Sequence, residues 1–228
     1  MQLAFIRFIK IFFSSLFIQS SWSYFSKQGM GFMVNLIYGT KNKEDTIMKE
    51  HNELFNTHPY MASYIIGATI RAYDEGKTSE DIKRFITIAQ TSFASAGDLL
   101  FWQTLRPALL LISVIFGLKF GIIGPVLFII SYNAFHLFHR ARGITDGYNK
   151  GWDVIYLIKA KRFIMVQHVF EILGALFTGL LFILIAFKIN YLLLIPLTSL
   201  FVILLLRRYS ATFIIIAVLV LIVIIALV

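Results

Sequence analysis

Ile172-Leu173-Gly174-Ala175-Leu176-Phe177-Thr178-Gly179-Leu180-Leu181-Phe182-Ile183-Leu184-Ile185-Ala186-Phe187 carries no charge and one hydroxyl. A helix needs roughly 20 apolar residues to cross a hydrocarbon core about 30 Å thick. This run is short for that task unless His168–Phe170 or the Lys188 stem extends it by snorkelling. Three further uncharged runs resemble it: Phe120–His139, Ile189–Leu206 and Tyr209–Val228. Pro107–Leu118 is shorter, and either continues across Lys119 or breaks at Gly121, Gly124 and Pro125. Irregular backbone at membrane depth is tolerated only where protein or a polar cavity satisfies it. Transporters often use such breaks.

The whole composition agrees. Of 228 residues, 58% are apolar and 14% charged, with mean hydropathy +0.79. Soluble domains run about half apolar and a quarter charged. So greasy a chain cannot cover its surface with polar groups, which excludes an ordinary soluble globule. Aromatics reach 16%, including 23 Phe, which suits interfacial anchoring in lipid. The absence of Cys excludes disulfides, thiolate metal sites and thiol catalysis. No strand-like alternation of any length occurs. The expected fold is therefore all-α, a polytopic helical membrane protein with amphipathic or re-entrant N-terminal helices and C-terminal transmembrane spans.

Charge divides the chain. Every acidic residue lies between Glu44 and Glu171. Arg7 and Lys10 precede Ile11–Phe13 and Leu16–Ile18 in a pattern that superficially looks like a signal peptide. No small-residue cleavage site follows, and serines interrupt the run, so a retained amphipathic helix is expected. Asp74-Glu75-Gly76 reads as a helix stop. Thr78-Ser79-Glu80-Asp81 reads as a fresh start, giving a helix from about Ser79 to Ala96 that leads into Gly97. Arg140, Arg142, Lys150, Lys159, Lys161 and Arg162 form a basic loop. The positive-inside rule places it in the cytoplasm, with Arg207-Arg208 on the same side and the C-terminus outside. These cations are juxtamembrane and lack the aromatic interleaving of a nucleic-acid surface.

Two clusters suit ligand chemistry. In Leu54-Phe55-Asn56-Thr57-His58-Pro59-Tyr60, Pro59 suits a first helical position, so Asn56, Thr57 and His58 fall at the positive end of a helix. Simple capping explains them about equally well. In Gly97-Asp98-Leu99-Leu100-Phe101-Trp102-Gln103-Thr104-Leu105-Arg106-Pro107, a helix puts Asp98, Trp102 and Arg106 on one face. A carboxylate and an indole are apt partners for sugar hydroxyls and a pyranose face. Equally, Trp102 belongs to an interfacial belt while Asp98 and Arg106 neutralise each other. His136 and His139 are a weak metal pair without a third ligand, and a membrane-interface role is favoured. No nucleotide-binding fingerprint, nucleophile elbow or triad is present, and no cofactor is implied.

Phe17-Ile18-Gln19-Ser20-Ser21-Trp22-Ser23-Tyr24 with Gln28-Gly29-Met30-Gly31-Phe32, then Phe55–Ser63, then Gly97–Trp102 with Thr104–Pro107, resemble motifs of one family in order. Leu205-Leu206-Arg207-Arg208-Tyr209-Ser210-Ala211-Thr212 resembles its last inter-span turn. The family is the IID component of mannose/fructose/sorbose-type sugar phosphotransferase systems. The resemblance implies a single membrane domain over 1–228, with the polar motifs in 1–106 and mainly transmembrane helices in 107–228. It implies a multi-pass subunit of the bacterial cytoplasmic membrane that joins a IIC subunit in a hetero-oligomer to import a hexose. IIA and IIB phosphocarriers supply the phosphoryl group, so this subunit is not itself an enzyme. Carried over by motif, Asn56, His58, Asp98 and Trp102 are substrate-binding candidates, with Arg106, Pro59 and Gly97 as structural support. The chain departs from the family where Trp-Asn-Tyr-Glu becomes Trp22-Ser23-Tyr24-Phe25. It also departs at Thr91–Ala96, in place of a Gly-Pro-rich turn, and in its shortness between Glu171 and Tyr191. A IID-like membrane scaffold or sensor that no longer transports sugar is the alternative these departures raise.

Overall fold

In a computed structural model the chain is helical, and it describes residues 3–41, 43–51, 53–189 and Ser199. Two compact units divide it, Met1–Ala175 and Leu176–Val228. Among the described residues eight α-helices run in order: α1 (Phe5–Leu16), α2 (Gly29–Gly39), α3 (Glu44–Glu50), α4 (Ala62–Asp74), α5 (Ser79–Gly97), α6 (Arg106–Phe120), α7 (Ile123–Lys150) and α8 (Lys161–Ile189). A π-helical segment, Asp98–Leu105, joins α5 to α6, and a 3₁₀ segment, Gly151–Lys159, follows α7. Among the described residues no strand forms. Isolated bridges link Ser23 to Lys27 and Lys27 to Phe55.

The helix ends follow local chemistry. The Thr78 hydroxyl accepts the Asp81 amide and caps α5, while Glu80 and Asp81 favour the positive end of the helix dipole. Gly76 closes the preceding helix with φ +70. α1 forms as its amphipathic sequence predicts, burying Ile11 and Ser15.

α4 is the centre of the first unit. Apart from Arg71 and Asp74 all its residues are buried, including the polar Ser63 and Thr69. It packs chiefly on α7 through glycines. A Cβ on Gly67 would lie 2.4 Å from the Ile144 carbonyl, and one on Gly147 would lie 2.2 Å from that of Tyr64. Only glycine permits so close a backbone crossing. Polar contacts lock one end of it. Arg7 pairs with Asp74 at 2.9 Å and also donates to the Gly39 carbonyl, while the Tyr148 hydroxyl donates to Asp74 at 2.8 Å. The charged pair is mostly buried, and the further bonds to Gly39 and from Tyr148 satisfy groups that burial would otherwise leave unpaired.

α5, the π segment and α6 form one 42-residue helix, Ser79–Phe120, long and apolar enough to cross a membrane. The helix expected from about Ser79 to Ala96 forms, and after Gly97 the chain changes register instead of leaving the helix. The apolar segment does continue across Lys119, and it breaks at Gly121 with φ +60 before α7 returns. Leu118, Ile122, Ile129 and Ile130 face outward. The few polar groups on this face bond to their own backbone: Ser131 donates to the Leu127 carbonyl and Asn133 to that of Ile129. That is how a helix hides hydroxyls and amides in an apolar medium.

Lys161–Ile185 is the second segment long and apolar enough to cross, with none of its apolar window buried within the protein. α8 thus extends the uncharged run Ile172–Phe187 backward by more than two turns, past His168–Phe170. The uncharged run Ile189–Leu206 beyond Ile189, the Arg207-Arg208 turn and the run Tyr209–Val228 lie outside the described residues, Ser199 excepted.

Candidate functional site

Two segments far apart in sequence meet at His58. The first, Phe55–Met61, is held by amide side chains acting as backbone mimics. Gln28 donates to the Thr57 carbonyl at 2.8 Å and accepts the Thr57 amide at 3.3 Å. Gln90 accepts the Asn56 amide at 3.1 Å, and its carbonyl receives the Thr57 hydroxyl at 2.9 Å. Phe55 stacks on Phe32 with ring centroids 3.9 Å apart. The Ala62 amide bonds to the His58 carbonyl at 3.0 Å. Pro59 therefore occupies the first position of the leading turn, although the regular helix begins only at Ala62.

The second segment is the π stretch. The Arg106 amide bonds to the Phe101 carbonyl, five residues back rather than four. Such insertions widen a helix locally and often mark functional positions. Here the widening turns Phe101 inward and leaves Trp102 on the surface. His58 stacks on Phe101 (4.9 Å, 13°) and meets the edge of Trp102 at 5.0 Å and Tyr60 at 5.1 Å. Gly97 makes this possible, since a Cβ there would lie 2.4 Å from the His58 Cβ and Cγ.

His58 is 1% exposed. Its Nδ1 faces the Tyr60 amide at 3.4 Å, which places the proton of the neutral ring on Nε2. That Nε2 is buried and has no partner within the described protein. Burial first, then the nearby Arg140 and His139, push its pKa down to about 3. The ring is thus a neutral donor at physiological pH. An unmade buried hydrogen bond costs about 1–3 kcal/mol, and an incoming acceptor would recover it.

The remaining candidates divide. Asp98, next to Gly97, is partly buried and has no ion pair among the described residues. Trp102 is 47% exposed with its edge on His58. Arg106 is exposed at the start of α6 and does not pair with Asp98. The alternative in which those two charges neutralise each other is not realised: eight residues, roughly 12 Å of helix, separate them. Asn56 is exposed, engaged through its backbone. The structure joins His58, Gly97 and Trp102 in contact and keeps Asp98 adjacent, while Asn56 and Arg106 stand apart from the His58 ring.

Sequence reasoning missed the surround. Tyr60 stacks on His136 at 4.5 Å, and the Arg140 guanidinium lies 5.1 Å over its ring. His139 meets Phe101 at 5.4 Å and the Tyr64 hydroxyl at 3.1 Å. Arg140 is 4% exposed and donates to the Ser15 carbonyl. His136 and His139 are thus parts of an aromatic cage around Tyr60 and Phe101. No group of three metal-ligating side chains occurs among the described residues. Tyr60 stood in the same motif as His58; the cage around it depends on α7 and left no local signal. At the family departures, the Ser23 hydroxyl is spent on its own turn, 2.7 Å from that of Ser26, and Phe25 is 87% exposed.

Comparison with known proteins bears on what this geometry serves. Residues 2–193 match the family described as the PTS system mannose/fructose/sorbose family IID component. The fructose permease IID component of Bacillus subtilis (strain 168) is 29% identical over 182 residues, 75% of this chain and 66% of that protein. The mannose-specific EIID component of Escherichia coli (strain K12) is 28% identical over 157 residues, 64% of this chain and 56% of that protein. The sorbose-specific EIID component of Lacticaseibacillus casei is 29% identical over 187 residues, covering 75% and 65%. The chain thus spans between 56% and 66% of the length of these relatives. A cryo-EM structure of the mannose transporter ManYZ with microcin E492 shares the fold (TM-score 0.62, 24% identity, covering 79% of this chain and 70% of that one). A structure described as a membrane protein agrees at TM-score 0.68 and 26% identity, over 79% and 71%.

Proposed function

We propose, from the premise that this chain belongs to the mannose/fructose/sorbose family IID components of sugar phosphotransferase systems, that it imports a hexose across the cytoplasmic membrane as one half of a IIC–IID translocator. The chain is a phosphotransferase-system membrane component; the sugar, the IIC partner and the phosphoryl route are the proposal. IIA and IIB phosphocarriers, charged from phosphoenolpyruvate, phosphorylate the sugar on the cytoplasmic side, and this subunit contributes no catalytic group. The observation that carries the reading is the unpartnered Nε2–H of buried His58 beside a half-exposed Trp102. A neutral imidazole donor, an indole surface and the adjacent Asp98 carboxylate together offer a donor, an acceptor and an apolar face. Those are the contacts a neutral polyol needs to leave water without losing its hydrogen bonds.

The test is calorimetric binding of glucose, mannose, fructose and sorbose to the full chain co-purified with its IIC subunit. Saturable binding of one sugar, weakened by about 1–3 kcal/mol in Trp102→Ala, is expected from loss of a ring contact. A stable complex that binds none of them sinks the proposal. A second reading, a IID-like scaffold or sensor without transport, is favoured by Ser23 and Phe25, whose side chains serve a local turn and the surface. In that case Ser23→Asn with Phe25→Glu should create uptake in a chain that otherwise shows none.

A further inference from the structure

Beyond the sugar site, the first unit holds a cavity of about 330 Å³ between the basic half of α7, the end of the 3₁₀ segment and the start of α8. Phe138, Leu157, Phe163 and Val166 give it an apolar wall. Arg142, Lys150 and Arg162 give it a cationic rim. Asp146 satisfies Arg142 at 2.9 Å, whereas neither Lys150 nor Arg162 has a carboxylate partner among the described residues. The hydrogen-bonded pair Tyr64 and His139 also lines it.

We infer that this cavity is a binding site for an anionic phospholipid of the cytoplasmic leaflet. The assignment rests on the pairing of two chemistries in one cavity. A soluble anion has no use for the apolar wall, and a neutral lipid has none for two uncompensated cations. The cavity also sits where a lipid headgroup should be, because the candidate membrane-crossing segment Lys161–Ile185 begins at its edge. From there Met165, Val169 and Ile172 run along an exposed apolar face that suits acyl chains. Basic pockets between helices on the cytoplasmic side are a known means of holding such headgroups, and the volume lies within the range of small-molecule sites.

The full chain, purified and placed in nanodiscs, would be titrated with phosphatidylglycerol in a phosphatidylcholine background, reading retained lipid by native mass spectrometry. Wild type should retain phosphatidylglycerol selectively. Lys150→Ala with Arg162→Ala should weaken retention by roughly fivefold per charge removed. Val166→Trp, which keeps every charge but fills the wall, should also lose the lipid. Lys159→Ala with Lys161→Ala removes equal charge outside the cavity and should leave retention unchanged. Equal losses in the two double variants would reduce the effect to general surface attraction and overturn the site. Displacement of the lipid by inorganic phosphate alone would reassign it to a free anion. Absence of selective lipid retention, with the Lys150/Arg162 variant instead losing association with a soluble phosphocarrier, would make it a protein-docking face.

Discussion

Gly97 has one hydrogen where any other residue would have a carbon, and the His58 ring occupies that place. The blocking atoms are the Cβ and Cγ of His58 rather than the far end of a flexible chain, so accommodation requires backbone movement. Gly97→Ala should therefore cost about 1–3 kcal/mol, the usual cost of overpacking, measured as a lowered thermal midpoint. Sugar affinity should fall with it, because the displaced ring is the proposed donor. The same ring predicts a pH effect. Its pKa is depressed from 6.5 to about 3 in the folded state, so the unfolded chain binds more protons below pH 6.5. Stability is then fully present above that pH and lost progressively as pH falls toward 3. The limiting slope is about 1.4 kcal/mol per pH unit for one such group. His58→Phe preserves the stack on Phe101 without the titration; its stability should show a flatter acid limb in detergent unfolding measured across that range.

At the scale of elements, the π segment is the unusual part. Deleting Gln103 removes one residue from it and restores an ordinary helical register on one side. A rotation of about 100° per residue then separates Trp102 from His58 or turns α6 against α7. Sugar binding should be abolished while helical content by circular dichroism stays near wild type; retained binding would show that the register is incidental. This feature also marks how far the sequence could be read. Thr78-Ser79-Glu80-Asp81 announced the start of α5 and Asp74-Glu75-Gly76 the end of α4, because caps and stops act through near neighbours; of the three breaks considered after Lys119, only Gly121 is one, and Gly124 and Pro125 lie within α7. The i→i+5 register left no local signal: His58, Tyr60 and Met61 meet the helix there from another segment, contacts that residues 79–97 alone do not announce. Likewise the two motifs containing His58 and Trp102 were visible, but not that Asn56 would be exposed or that Arg106 would leave Asp98 unpaired. The roles of Gln28, Gln90 and Arg140 depend on partners 29, 34 and 125 residues away in sequence.

For the molecule as a whole, orientation is the open quantity with a direct measurement. The positive-inside rule puts the 3₁₀ segment Gly151–Lys159 in the cytoplasm. Because the chain has no cysteine, a single Lys159→Cys substitution at an exposed position gives an unambiguous label. A membrane-impermeant maleimide should modify it in inverted vesicles and spare it in intact cells; the reverse pattern would turn the topology over and move the lipid cavity to the other leaflet.

The uninterrupted helix Ser79–Phe120 has a consequence of simple measurement. At about 1.5 Å per residue, 42 residues run roughly 60 Å, twice the thickness of the hydrocarbon layer. At ordinary tilts one end must stand in water. The end that carries Glu80, Asp81, Lys83 and Arg84 is fitted for that, and the Pro107–Phe120 end for the lipid. The proposed sugar-site residues Asp98 and Trp102 lie near the middle of that rod, roughly 30 Å from its wet end.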